Sequence, residues 1–349
     1  MPEAHEAYLR GRYDLGKLSE AQYRAAIGEF QTALRIQPTY APAWAGLADT
    51  YYFMSNVYLP PAEAMPKARA AAERAIALDG DQGNAHATLG MVTAQYDWKW
   101  EEAEREIRLA LASNPSDANA HYYYSTVLTE IGRQQPALAE YQTALSLDPL
   151  SEYTAVTWLQ PDYFFGHYDD AIARCTSLIE SDPGYSPAYC LLGMCYAQQG
   201  RLPEAEQALR KASTLDLNPF ALANLGNVLG RQGRRAEALA IATRLDSLDS
   251  RTHVSGYSHA LVYVGVGDKN SAFSWLGRAL ENRDEDLCAI NVDPAFRSLH
   301  GDPRFQSLVA KLGLAGEPVA RAPARPPRAA RVASRVHALP APSALSAAW

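Results

Sequence analysis

One alanine sets the architecture of this chain. It stands at 26, 68, 103, 137, 171, 205, 238 and 272, in steps of 42, 35, 34, 34, 34, 33 and 34 residues. The full pattern is Ala, a large residue four places on, a small residue three further, then Pro. It reads Ala137/Tyr141/Ala144/Pro149, Ala26/Phe30/Ala33/Pro38 and Ala103/Ile107/Ala110/Pro115. Relaxed copies follow Ala171 and Ala205, and weaker ones follow Ala68, Ala238 and Ala272. Upstream of each alanine lies a second element, clearest at Tyr189, Leu192, Gly193 and Tyr196, then Gly200. Spacings of three and four put these residues on one helical face. The unit is therefore a helix–turn–helix that cannot bury its apolar face alone, so its copies must stack.

The residue types say how. Small residues (Gly193, Ala205, Ala212) let two antiparallel helices approach, and Tyr189, Leu192, Tyr196 and Leu209 fill the gaps around them. Gly132, Gly200 and Gly233 permit the turn between helices. Asn or Asp before Pro115, Pro149 and Pro183 stops the second helix, because the residue before proline is pushed out of the helical region.

In these motifs the chain resembles the tetratricopeptide repeat family over residues 4–285. The resemblance implies an all-α fold, a right-handed superhelical α-solenoid of about eight repeats. Residues 15–17, 59–66 and 96–100 depart from the period and are expected as loops between the helices of the first three units. A narrower resemblance rests on Ala7–Tyr13, Ala41–Asp49, Tyr96-Asp-Trp-Lys-Trp100 and Asp302-Pro-Arg-Phe305. It points to the C-terminal repeat half of bacterial multidomain regulators, whose N-terminal halves are winged-helix domains, nucleotide cyclases or serine/threonine kinases. With Met1 at or just before the first repeat helix, none of those halves is expected here.

Two segments follow the array. Residues 286–315 hold an echo, Asp293-Pro-Ala-Phe-Arg-Ser-Leu299 and Asp302-Pro-Arg-Phe-Gln-Ser-Leu308. Asp as N-cap with Pro at the first helical position predicts two short helices that cap the last unit, against the alternative of a docking motif. Residues 316–349 are rich in Ala, Pro and Arg and read as a disordered tail, an inert extension rather than a contact for acidic partners. The tail holds five Arg and one Glu, a net +4, so the rest of the −7 chain carries −11. Nucleic acid is therefore not an expected partner of the folded part.

Catalytic signatures are absent: no phosphate-binding glycine loop, no H-R-D or D-F-G, no G-x-S-x-G, no H-E-x-x-H. No enzyme activity, cofactor or metal is expected. Cys190 with Cys195, and His86 with His121, read as packing residues rather than metal ligands. With four scattered cysteines, no signal peptide and no run of apolar residues long enough to span a bilayer, the expectation is a cytoplasmic protein off the membrane.

Stacked first helices line a concave groove. The helical register aims Tyr52, Phe53, Met91, Asn119, Tyr122, Tyr123, Thr126, Tyr153, Gln160, Tyr163, Met194, Gln198, Asn224, Asn227 and Arg231 into it, with Asp49, Gln95 and Phe164 alongside. This lining is aromatic and amide-rich with almost no Lys. It does not match the Lys/Arg/Asn clamp of the family members that hold acidic chaperone C-termini. It suits an extended or helical peptide held by side-chain burial and amide hydrogen bonds. The competing reading is that several of the tyrosines pack between helices. The expected function is a non-catalytic scaffold for a protein or peptide partner. The alternative is a regulatory half of a larger regulator.

Overall fold

The computed structural model describes residues 1–17, 19–55, 58–148, 161–216, 218–249 and 253–314. Tyr153, Gln160 and the tail 316–349 lie outside the described residues.

Eight helical pairs follow one another. They are α1 (Pro2–Leu15) with α2 (Glu20–Ile36), α3 (Ala41–Met54) with α4 (Pro61–Leu78), and α5 (Gly83–Gln95) with α6 (Trp100–Ser113). The fourth and fifth are α7 (Ala118–Glu130) with α8 (Gln134–Leu147) and α9 (Pro161–Phe164) with α10 (Tyr168–Ser181). The last three are α11 (Ser186–Gln198) with α12 (Leu202–Leu215), α13 (Pro219–Arg231) with α14 (Arg235–Asp249), and α15 (Gly256–Val266) with α16 (Lys269–Asn282). Two 3-10 turns, Glu285–Ala289 and Pro294–Leu299, lead to α17 (Pro303–Lys311). First helices stack on first helices, α3 on α5, α5 on α7 and α11 on α13, which makes the array an α-solenoid.

All eight repeat alanines are fully buried. In the first, third and sixth units the residue four places on, Phe30, Ile107 or Leu209, fills the space across a facing glycine. A Cβ built on Gly90 would come within 2.5 Å of Ile107, and one on Gly193 within 2.6 Å of Leu209. Such contacts leave no room for a side chain.

The turns between helices divide the array. Gly132, Gly166, Gly200, Gly233 and Gly267 all adopt φ between 76° and 82°, the left-handed region that favours glycine. In the third unit that place belongs to Trp98, at φ 60°. The second unit corrects an expectation. Residues 61–66 are not a loop but the opening turns of α4, begun by Pro61 and continued through Pro66. Ala64 and Met65 are fully buried there, so the good helix formers Ala-Glu-Ala-Met gain apolar burial by extending the helix.

One position on the first helices pins the preceding turn. Trp44 Nε1 donates to the Pro38 carbonyl at 3.0 Å, and Tyr189 OH donates to the Pro183 carbonyl at 3.3 Å. His86 Nε2 lies 3.1 Å from the Gly80 carbonyl and His121 Nε2 3.1 Å from that of Pro115. Their Nδ1 atoms meet Glu106 at 2.8 Å and Glu140 at 2.6 Å. The two histidines thus stand in the same structural role as Trp44 and Tyr189.

Candidate functional site

The concave lane begins as a ladder of side chains on successive first helices. Tyr52 OH donates to Gln95 Oε1 at 2.9 Å, and Gln95 Nε2 donates to Glu130 Oε1 at 2.8 Å. Tyr123 packs edge-on to Tyr52 with ring centroids 5.6 Å apart and lies 6.1 Å from Tyr122. Thr126 donates back to the Tyr122 carbonyl at 3.1 Å. Further along, Gln198 donates to Tyr163 OH at 3.3 Å and Arg231 to the Ala197 carbonyl at 2.7 Å. Asn227 donates to the Leu261 carbonyl at 2.8 Å, and Asn224 to that of Phe220 at 3.0 Å.

The structure therefore brings these residues onto one lane but buries most of them. Tyr52, Met91, Tyr122, Tyr123, Thr126, Tyr163, Met194, Asn224 and Asn227 are buried. Phe53 and Gln198 are half-buried, and Asn119 and Arg231 are exposed.

Much of this burial comes from neighbouring first helices, and part of the lane also holds a later segment of the chain. The chain leaves α16 at Arg283, itself left-handed at φ 57°, and turns back across the array. Arg283 donates to the Tyr96 carbonyl. Its guanidinium stacks on the rings of Tyr96 at 5.1 Å and Trp98 at 4.6 Å. Cys288 Sγ faces the Gln95 carbonyl at 3.6 Å. Asp293 accepts from Tyr163 OH at 3.1 Å and from Tyr257 OH, and Phe296 packs on Tyr257 with ring centroids 4.7 Å apart. Trp100 Nε1 donates to the Leu312 carbonyl at 2.8 Å, across 212 residues of sequence. Leu287, Cys288, Ala289, Ile290 and Phe296 are fully buried. The echo segment thus contacts more than the last unit. Arg304 does lie over Phe273 of α16, but the segment also threads the lane back to the third unit.

The lane is acidic and poorly solvated. Burial, eased by the Gln95 hydrogen bond, pushes the Glu130 carboxyl up to about 8. Glu130 Oε2 is buried without a hydrogen-bond partner. Burial likewise raises Asp293 above the usual carboxylate range, against the pull of its tyrosine hydrogen bonds. Asp49 is pushed up to about 6 by burial, with Arg12 and Thr88 drawing it down. Cys175 and Cys190 are pushed up to about 12 by burial, and all four cysteines are buried and unpaired, which makes them poor nucleophiles. Among the described residues no group of three or more His, Cys, Asp or Glu could hold a metal ion. No described helix is long and apolar enough to cross a membrane.

Sequence reasoning passed over Glu130, Tyr257 and Arg283, and read Asp293 only as a helix N-cap. Glu130 carried a signal, since it follows Gln95 by 35 residues at the same inner position. The other three gain their roles only through contacts between units far apart in sequence.

A lane of first helices stacked by a period of about 34 residues defines an α-solenoid of helical hairpins. Residues 93–152 and 165–225 each match a family model of the tetratricopeptide repeat, so these two stretches carry tetratricopeptide repeats. Yeast Tom70 shares the fold with a TM-score of 0.53 and 14% identity, over 89% of this chain and 67% of that one. The transcriptional regulator HilA of Salmonella typhimurium is 23% identical over 220 residues, 62% of this chain and 40% of its own. Superkiller protein 3 of Schizosaccharomyces pombe is 23% identical over 284 residues, 81% of this chain and 18% of its own. The chain thus spans less than half the length of either curated relative.

Proposed function

We propose that this chain is a non-catalytic protein-interaction scaffold whose concave lane takes a segment of polypeptide. The observation that supports this most directly is the occupant itself. The lane holds residues 285–299 as two short 3-10 turns, Glu285–Ala289 and Pro294–Leu299, with an acidic side chain between two tyrosine hydroxyls and an aromatic ring behind it. A partner segment with an acid and an aromatic at that spacing meets the same donors and the same ring. Phe53, Asn119, Gln198 and Arg231 are the lane residues left accessible for a first encounter, with the buried Tyr122, Tyr123 and Asn227 behind them. The test is affinity capture from the native cell with the parent chain and with the variant Asn119→Ala, Gln198→Ala and Arg231→Ala combined. Loss of the captured partner with an unchanged helical signal supports the lane. An identical partner set sinks it.

The match to HilA favours a second reading, in which this array is the sensory half of a bacterial regulator. An antibody against the array distinguishes the two. A native band well above 38.2 kDa supports the regulator, and a band at that mass supports the free-standing scaffold.

A further inference from the structure

The two ends of the array are finished differently. From the second unit on, first helices pack against the second helix before them: α3 on α2, α5 on α4, α7 on α6 and α13 on α12. The far end is covered too, by the turn Pro294–Leu299 and by α17, whose Arg304 reaches Asn270 at 2.9 Å and stacks on Phe273. Among the described residues nothing stands before α1. The face it leaves open is apolar. Leu9 is 51% exposed and Tyr13 69% exposed. With Pro2 and Glu6 they follow spacings of four, three and four, which is one helical face. Elsewhere Leu109, Leu147 and Leu215 are exposed singly, on three different second helices, as is ordinary for a protein surface.

The edge of α2 beside this stripe is shallow. Arg10 Nε donates to Glu29 at 2.9 Å, which ties the two edges together. Ala25 lies one turn before Glu29 and Gly28 next to it, and both are exposed. Nothing lies within 4 Å of where a Cβ would stand at Gly28. Bulky side chains on α1 thus border small ones on α2.

Charge says what covers such a face. Its first half carries Glu3 and Glu6, both exposed and neither in an ion pair or side-chain hydrogen bond among the described residues. Its second half ends on exposed Lys17, whose ammonium lies over the Tyr13 ring at 4.1 Å and 3.9 Å from Asp14. A second α1 laid antiparallel, with the axis beside Leu9, brings opposite halves together. Tyr13 of one copy then meets Glu6 of the other and offers its hydroxyl to that carboxylate. Lys17 meets Glu3. Arg10, near the axis, is neutralised by Glu29 of its own chain. A parallel copy would instead set Glu6 on Glu6 and Lys17 on Lys17.

We propose that this open end is a homodimer interface, in which two copies of the chain pair through α1, antiparallel about a two-fold axis beside Leu9, with Leu9 and Tyr13 as the buried anchors. A two-fold contact closes on itself and forms no filament. Burial of the anchors supplies the affinity, while the exposed ion pairs contribute little and set the direction. One helix pair covers less than the roughly 800 Å² per partner of a standard interface, so the dimer depends on concentration. The interface uses no lane residue and stands apart from the scaffold reading.

Sedimentation equilibrium of the full chain tests it. The average mass is expected to climb from 38.2 kDa toward twice that value between about 1 and about 100 μM. Leu9→Asp should weaken association at least about tenfold with the helical signal unchanged. Lys17→Glu should weaken it less, and adding Glu3→Lys should restore it, because the swapped charges meet again only across the two-fold. The four native cysteines are buried, so Leu9→Cys supplies one exposed thiol. Mild oxidation should link Leu9→Cys into a covalent dimer and leave Leu109→Cys, at a site equally exposed, unlinked. A mass that stays at 38.2 kDa, a dimer that survives Leu9→Asp, a charge swap without rescue, or equal linking at the two cysteine sites overturns the proposal.

Discussion

The third unit and the units behind it use the same fold with different turns, and the difference shows where this array stops being a generic repeat. From the fourth unit onward a glycine in the left-handed region makes each turn, and nothing lies within 4 Å of where a Cβ would stand at Gly166, Gly200, Gly233 or Gly267. These turns are open and interchangeable. The third unit spends its turn differently. Trp98 occupies the glycine place, Tyr96 and Trp98 sandwich Arg283 from the far end of the array, and Trp100 reaches Leu312. A tryptophan with positive φ is strained by about 1–2 kcal/mol. The strain is tolerated because the surrounding contacts hold it, and those contacts close the superhelix on itself. Departure from the period marks the place where the tertiary structure does something the repeat does not require.

The comparison can be broken in four ways. Phe296→Ala removes a fully buried ring from the returning segment and is expected to cost about 3–5 kcal/mol. Hydrogen exchange should place that loss in the third unit and the eighth together. A loss confined to the eighth unit would mean that the segment caps one end and ties nothing. Ala205→Leu overpacks the contact beneath Gly193 and should cost about 1–3 kcal/mol in denaturant melts. No change would show that the repeat register is wrong.

Gly200→Ala should cost about 1–2 kcal/mol from its left-handed φ alone. Gly16→Ala, at φ −67°, should be neutral or stabilising, since the helical region suits alanine. Equal costs at the two sites would erase the distinction between front and rear turns. Trp100→Phe keeps an aromatic group but loses the buried indole hydrogen bond, worth about 0.5–1.5 kcal/mol, together with some of the indole's packing. Its signature is faster exchange in α17 with the middle units untouched.

Much of the array was legible in advance because helical packing is local and periodic. Eight alanines at fixed spacing name eight buried contacts, and each proved fully buried. The lane was legible only as a direction. The register placed Tyr122, Tyr123, Tyr163 and Asn227 on the inner side, yet it could not say whether they would meet solvent or protein. For Tyr163 that depended on residues 283–314, whose Asp-Pro motifs were readable as helix starts but carried no mark of the units they touch. Likewise the stretch 59–66 looked like an insertion, and whether its residues joined a helix was set by the apolar surface available to Ala64 and Met65.

The sequence alone therefore determined the unit, its approximate copy number and the buried alanine contact in each, because contacts within three or four residues and between adjacent repeats are written at regular spacing. Only the tertiary structure decided that a later segment, residues 283–312, crosses back over the lane. Those contacts join residues 130 to 212 apart, as in Tyr163 with Asp293 and Trp100 with Leu312, and depend on the summed curvature of every unit between them. No local pattern records that sum.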